Sequence, residues 1–228
     1  MSSTTKTRGI LQTSVGKKLV MAITGLALIG FVIAHMLGNL QIFLGPERLN
    51  AYAKTLQNLG ALLWVARIGL LLIFVTHLRM AMVLTMENRA ARPVPYAVNA
   101  THKASFASRT MIMSGMIIFL FLVYHILHFT MGVTNTEFAA LKTPEGDHDV
   151  YKMVIMGFSN PIVSGIYILA QAFLALHISH GFFSVFQTLG WNHPSYDLKV
   201  KLVSNGLAVL IFLGNSGIPV SVLAGVIK

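Results

Sequence analysis

The chain has 228 residues, of which 55% are hydrophobic and only 11% are charged, whereas about a quarter of a soluble domain is charged. The mean hydropathy of +0.70 therefore indicates an integral membrane protein, formed as a single domain over residues 1–228. The net charge of +10 would suggest nucleic acid as the partner of a soluble protein, but we expect no such partner here. The absence of cysteine excludes disulfides, thiolate-held iron–sulfur clusters and the C-x-x-C-H motif.

A membrane-spanning helix needs about 20 mostly apolar residues. Gly45 and Pro46 stop the first such segment, and Asn160 and Pro161 open the fourth. The first segment is too long for the core of a signal peptide, so we expect it to be retained. We predict an all-α bundle of five transmembrane helices without a separate soluble domain, and an exposed polar loop between the third and fourth helices. The predicted spans are residues 19–44, 62–86, 110–131, 162–187 and 202–226.

The positive charges are distributed unevenly over the two sides of this bundle. Eleven Lys and Arg residues fall on the side of the N-terminus and six on the other side. The excess of Lys and Arg marks the cytoplasmic side. We therefore predict a multi-pass protein of the bacterial inner membrane, with its N-terminus cytoplasmic and its C-terminus outside. The basic face could bind anionic lipid headgroups or a peripheral partner.

Four histidines, His35, His77, His125 and His177, lie in four different predicted spans, and the fifth span has none. An ionisable residue is costly to bury in a membrane and by default indicates a functional site. Neutral imidazole is the commonest side-chain metal ligand, and haem iron accepts it axially. The alternatives are hydrogen-bonded contacts between helices and a proton path, as in a transporter without haem.

Depth in the membrane sorts these histidines into two pairs. Successive helices run in opposite directions, so His35 and His125 fall in the outer half of the membrane, and His77 and His177 fall in the inner half. The helical rise places the two levels roughly 10 Å apart. This pattern predicts two bis-histidine haem sites, one above the other, that carry electrons across the membrane.

Two further histidines leave the choice of ligand open. His128 and His180 each follow a paired histidine by three residues, which places them on nearly the same helical face. Either could be the true ligand, and the other could then bond a haem propionate or a quinone. The remaining histidines, His102, His148 and His193, fall in predicted loops and are expected to be solvated.

The ordered set of motifs around these histidines resembles the diheme cytochrome b subunit of succinate dehydrogenase and fumarate reductase. The similarity extends over nearly the whole chain and includes the spacing from His35 to His77. Each motif is weak alone, but the ordered set over five spans is specific. The motifs are residues 31–39, 75–77, 124–125 and 177–181 in the helices, and residues 91–96 and 104–109 between the second and third helices.

The resemblance implies two non-covalent haems b, with the histidine pairs as their axial ligands. His35 and His125 would hold the distal haem iron, and His77 and His177 the proximal one. The family's glycine falls four residues after the last ligand, at Gly181, and this selects His177 over the histidine that follows it. The resemblance also selects His125 over His128.

The resemblance also implies partners and a reaction. A flavoprotein subunit would oxidise succinate, and an iron–sulfur subunit would dock on the cytoplasmic face. This chain would then reduce a quinone, commonly menaquinone, as the membrane anchor of succinate dehydrogenase or fumarate reductase. That enzyme is respiratory chain complex II and links the tricarboxylic acid cycle to electron transport. The resemblance is compatible with a higher oligomer of the complex. Another diheme cytochrome b, of the formate dehydrogenase or hydrogenase type, is the main alternative, and the transporter without haem is a weaker one.

The sequence determines the residues that contact the haem propionates and the quinone less closely than it determines the haem ligands. Arginine pairs well with carboxylates, so the propionate candidates are Arg67, Arg79 and Arg109, although the last two could equally reach lipid headgroups. A quinone could bind at the outer surface or at the inner one, and the sequence does not choose. The outer candidates are Gln41, Trp64, Arg67 and His128, and the inner candidates are Ser105, Arg109 and His180.

Overall fold

The computed structural model describes residue 9, residues 12–91 and residues 105–228, and these form an all-helical bundle. Five helices are long and apolar enough to cross a membrane, which confirms the predicted five-helix architecture. The 92–104 segment, which contains His102 and parts of two motifs between the second and third spans, lies outside the described residues. The helices are α1 (Ser14–Asn39), α2 (Pro46–Gln57), α3 (Ala61–Ala90), α4 (Phe106–Arg109), α5 (Met111–His125), α6 (Val150–Phe158), α7 (Pro161–Thr188) and α8 (Asp197–Leu223).

Several membrane helices extend beyond the apolar stretch that predicts them. The first reaches from Ser14 through a 3-10 turn to Leu44, whereas its predicted span begins at residue 19, and α3 exceeds its predicted span at both ends. The third membrane helix continues past α5 through a π-helical turn over Ile126–Thr130 and stays within its predicted span. Capping residues determine where these helices end, whereas the first charged residues determined where the predicted spans end. Thr13 caps α1 by accepting a hydrogen bond from the Gly16 amide, and a cap of this kind contributes about 1 kcal/mol.

Helix α7 is the centre of the bundle, because it packs against α1, α5 and α8. Helix α1 also packs along α3. Helices α3 and α5 meet through the stacked rings of Phe74 and Phe119, whose centroids are 6.4 Å apart. Helices α1, α3, α5 and α7 therefore enclose a central slot. Helix α8 lies outside the slot against α7 and α1, and it is the membrane helix without a histidine.

We call the end of the bundle where α1 begins the N face, and the end where α8 finishes the C face. The C face carries a cap made of α2, α6 and the segment before α6. Leu49 on α2 and Phe138 in that segment are both buried. The Asn50 side chain joins the two helices, because it donates to the Asp149 carboxylate at 3.0 Å and accepts from the Tyr151 amide at 3.0 Å.

The cap corrects the prediction of an exposed polar loop between the third and fourth spans. Its charged residues do face outward, as in the ion pair of Lys54 with Asp147, and the hydrogen bond of that pair raises the pKa of Lys54. The backbone between the third and fourth spans nevertheless forms a 3-10 turn at Thr136–Ala140 and helix α6, and these cover the C face of the bundle. His148, which we expected to be solvated, is half-buried, and its Nδ1 lies 3.2 Å from the Leu141 carbonyl.

Candidate functional site

The first histidine pair lies toward the C face. The rings of His35 on α1 and His125 on α5 are neighbours, with centroids 5.9 Å apart. Imidazole nitrogens bind a first-row metal at about 2 Å, so two rings on opposite sides of one ion have centroids roughly 6 Å apart. Phe31 stacks on the His35 ring at 5.4 Å. The spacing therefore suits a pair of axial ligands, and we call these residues the C-side pair.

The second pair lies toward the N face and lines a cavity. His77 on α3 and His177 on α7 both border a space of about 400 Å³, whose walls come from α1, α3, α5 and α7. Most of the wall is apolar, with a smaller number of polar groups among the lining, as is usual for cofactor sites. We call these two residues the N-side pair. The polar residues that line the cavity include Lys18, Thr85, Asn88, Ser108, His180, Ser184 and Thr188.

A hydroxyl group determines which nitrogen of His77 is available. The Oγ1 atom of Thr24 lies 3.1 Å from His77 Nδ1, and the same hydroxyl donates its hydrogen to the Val20 carbonyl at 2.7 Å. When the hydroxyl hydrogen goes to that carbonyl, the ring donates from Nδ1 to the hydroxyl oxygen. The Nε2 atom then keeps its lone pair. A metal-binding histidine typically donates its other ring N–H in this way, which fixes the orientation of the ligand.

Ser114 supports His177 in the same manner. Its Oγ atom lies 3.1 Å from His177 Nδ1 and donates to the Met111 carbonyl at 3.1 Å. A glycine follows each hydroxyl residue and makes room for the supported ring. A Cβ atom at Gly25 would lie 3.2 Å from His77 Cε1, and one at Gly115 would lie 3.5 Å from His177 Cε1.

These supports form a repeated motif that the sequence analysis missed. Thr24 lies eleven residues before His35, and Ser114 lies eleven residues before His125. A glycine follows the hydroxyl residue in both cases. Eleven residues make about three turns, so the hydroxyl and the histidine share one face of their helix. The repeated spacing of Ser or Thr, then Gly, nine residues and His was the signal that could have identified them.

The same eleven residues measure the separation of the two levels. At about 1.5 Å per residue they give about 16 Å, because Thr24 contacts the N-side pair and His35 belongs to the C-side pair. Along α1 this interval exceeds the separation of roughly 10 Å that we estimated from the sequence.

The two additional histidines occupy different surroundings. His128 is 1% exposed and lies against Phe129 and Phe138 under the cap. Its Nδ1 is 2.9 Å from the Tyr167 hydroxyl, which is also 3.3 Å from His125 Nδ1. His180 lines the N-side cavity, and its Nε2 lies 3.1 Å from the Ser184 hydroxyl. The ring of His125, and not that of His128, is the one that neighbours His35.

The structure separates the residues that we proposed for propionates and a quinone. Near the C face, Arg67 lies over the Trp64 ring at 5.1 Å. Both are exposed on α3, Gln41 is half-buried, and His128 is covered by the cap. Among the described residues, no contact joins Arg67 or Trp64 to His128.

On the N face, Ser105 caps α4 by accepting from the Ser108 amide at 3.1 Å. Arg79 and Arg109 are exposed, and in the described part of the chain these three residues do not line the N-side cavity. Lys18, Asn88 and Ser108 line it instead, and the sequence analysis had not selected them. Of the inner candidates, only His180 borders the cavity.

The arrangement offers two protein ligands at each level. Over residues 12–91 and 105–228, no three His, Asp or Glu side chains converge as a metal-binding group. A bare zinc ion is usually held by three or four protein ligands, whereas haem iron has four macrocycle nitrogens and takes one or two axial ligands. Two imidazoles at each level match the number of ligands that haem iron takes from a protein. No protein-family model, curated protein or solved structure matches this chain.

Proposed function

We propose that this chain is the diheme cytochrome b membrane anchor of a succinate:quinone oxidoreductase. One haem b would lie between His35 and His125, and the other between His77 and His177. The observation that carries the proposal is the arrangement of two histidine pairs at two levels of one four-helix slot. The Nδ1 bonds to Thr24 and Ser114 add to it, because they leave Nε2 of the N-side pair available for iron.

A proton-coupled transporter is a weaker explanation of the same histidines. A proton path needs polar groups or water between the two levels. The contact between α3 and α5 in this region is the stacked pair Phe74 and Phe119. Phe74 lies one turn from His77 on its C-face side, and Phe119 lies between Ser114 and His125 along α5. This contact places apolar rings between α3 and α5 at this depth, so it offers no path for protons there.

When bound, the two haems would carry single electrons between an iron–sulfur cluster of a partner subunit and a membrane quinone, commonly menaquinone. The protein's own residues hold the groups in place. The imidazole pairs ligate, the hydroxyls orient them, and the apolar walls exclude water. Lys18 borders the N-side cavity, where an ammonium group can pair with a propionate. Succinate itself would react on the flavoprotein subunit.

The same proposal gives the orientation and location of the chain. The N face would be cytoplasmic in the bacterial inner membrane, because Lys and Arg concentrate there. The ion pair of Lys17 with Glu87 joins α1 to α3 on this face. The iron–sulfur and flavoprotein subunits would dock on it, close to the polar residues of the N-side cavity.

The test begins with the number and position of the haems. The chain is expressed with its partner subunits, purified, and analysed by reduced-minus-oxidised spectra and pyridine haemochrome content. We expect two haems b per chain. His77→Ala and His177→Ala should each abolish the same haem, and His35→Ala and His125→Ala the other. A purified chain without b-type bands would refute the proposal, and loss of one common haem in all four variants would refute the pairing.

The identity of the complex needs a second measurement. Co-purification of succinate:quinone oxidoreductase activity with the haem protein would support the proposed complex. Formate- or hydrogen-dependent quinone reduction in its place would assign the chain to the other diheme class. The His77→Ala and His35→Ala variants serve as matched controls, because electron transfer to quinone should fail in both while succinate oxidation by a soluble dye continues.

A further inference from the structure

The Tyr167 hydroxyl joins two histidines, and its single hydrogen determines the direction of both bonds. If His125 binds iron through Nε2, its Nδ1 carries a hydrogen and donates to Tyr167 Oη at 3.3 Å. The tyrosine hydrogen must then go to His128 Nδ1 at 2.9 Å. His128 keeps its own hydrogen on Nε2. One arrangement of hydrogens therefore satisfies both bonds, and it runs from His125 through Tyr167 to His128.

The N-side pair does not need a second histidine of this kind. Thr24 and Ser114 are short, so each hydroxyl donates back to a carbonyl of its own helix. The phenol of Tyr167 stands far from its own backbone, and its hydrogen needs an acceptor on another element. His128, which follows α5 in the π-helical turn, provides that acceptor.

Packing alone does not explain an imidazole at position 128. The side chain is 1% exposed, and its neighbours are the rings of Tyr124, Phe129 and Phe138. Its Nε2 atom has no hydrogen-bond partner in the described part of the chain. A buried donor without an acceptor costs free energy, so an apolar side chain would be the better choice if position 128 served only to fill space.

We propose that His128 is a positioning residue for the haem ligand His125, acting through the hydroxyl of Tyr167. The proposal rests on the proposed function, because it takes His125 as an axial ligand. His128 holds the phenol hydrogen and so keeps Oη turned toward His125 as an acceptor. A ligating imidazole that donates from Nδ1 is more basic. It therefore favours ferric over ferrous iron, which lowers the midpoint potential of the C-side haem.

The experiment uses the purified complex with both haems. Tyr167→Phe removes the hydroxyl, and His128→Leu removes its acceptor. His128→Asn restores an acceptor, because the amide oxygen can take the place of Nδ1. Tyr124→Phe is the matched control, since this ring also packs against His128 and Tyr167 but its hydroxyl bonds neither His125 nor His128. Both midpoint potentials and the low-spin ferric resonances are measured, with the haems assigned from the ligand variants.

We expect Tyr167→Phe and His128→Leu to raise the potential of the C-side haem and to leave that of the N-side haem unchanged. His128→Asn should return the C-side potential toward the wild-type value, and Tyr124→Phe should leave both potentials as they are. Selective loss of the C-side haem in the first two variants, with both haems kept in the other two, would equally support the proposal.

Two results would overturn it. If Tyr167→Phe and His128→Leu bind both haems with wild-type potentials and resonances, His128 does not act on the ligand. If Tyr124→Phe shifts or loses the C-side haem as strongly as they do, the effect belongs to aromatic packing. Either result leaves the proposed function standing, whereas a wild-type complex without two haems b would refute the proposed function itself.

Discussion

The hydroxyl support of His77 gives a quantitative prediction for the variant Thr24→Val. Valine keeps the shape of threonine but replaces the hydroxyl with a methyl group. The Nδ1–H of His77, now 3.1 Å from the Thr24 oxygen, would lose that acceptor and keep only the backbone of Met21. Loss of one hydrogen bond costs about 1 kcal/mol, and loss of an outer-shell partner weakens metal binding by about 10–100-fold. The two estimates agree in order of magnitude, since 1.4 kcal/mol corresponds to about one factor of ten.

We therefore expect the N-side haem of Thr24→Val to dissociate about 10–100-fold more readily, while the C-side haem is retained as in the wild type. Haem transfer from the purified complex to an excess of apomyoglobin measures the two fractions separately. Thr55→Val is the matched control, because Thr55 also donates to a carbonyl four residues earlier, at 2.8 Å, but lies exposed on α2. Equal retention of the N-side haem in Thr24→Val and Thr55→Val would refute the tautomer argument, and so would selective loss of the C-side haem.

Two further predictions concern the cap on the C face. Gly157→Ala would place a Cβ atom 2.7 Å from a phenylalanine ring beneath α6, so it should destabilise the chain by about 1–3 kcal/mol and lower the thermal midpoint in detergent. Gly165→Ala, with no atom within 4 Å of the added Cβ, should keep or raise that midpoint, because alanine favours a helix over glycine by about 1 kcal/mol. Asn50→Ala removes both hydrogen bonds from α2 to α6, which contribute about 1 kcal/mol each. Limited proteolysis should then cleave the cap faster without any change in haem content. An unchanged cleavage rate would show that apolar packing alone holds the cap.

The five membrane helices and the grouping of the histidines follow from local sequence properties. Long apolar runs give the spans, and alternation of helix direction places His35 beside His125 without any knowledge of side-chain contacts. The ends of the spans were less accurate, because charged residues such as Lys17 and Glu87 continue the helices into the surface region. Hydropathy indicates where a helix meets lipid, whereas capping determines where it ends.

The cap and the hydroxyl supports could not be predicted in the same way. Helix α2 has 12 residues and is mostly polar, whereas α6 has nine and is apolar but too short to cross a membrane. A hydropathy analysis therefore identifies neither of them. Thr24 and Ser114 are ordinary small residues of a membrane helix until the facing ring is known. Tyr167 is recognisable only in three dimensions, because its hydroxyl bonds two residues about 40 positions away along the chain.

On both α1 and α5 a hydroxyl residue and a histidine are separated by the same number of residues, so each helix sets the distance between the two levels. The same stretch of backbone carries a histidine of one pair and a hydroxyl that contacts a histidine of the other pair, eleven residues apart. Inserting one residue between Thr24 and His35 would rotate one end against the other by about 100° and lengthen the interval by about 1.5 Å, so both levels would be disturbed together. The interval between the two levels is therefore fixed by the geometry of the α-helix. It should not change with loop length as long as the two helices stay in register.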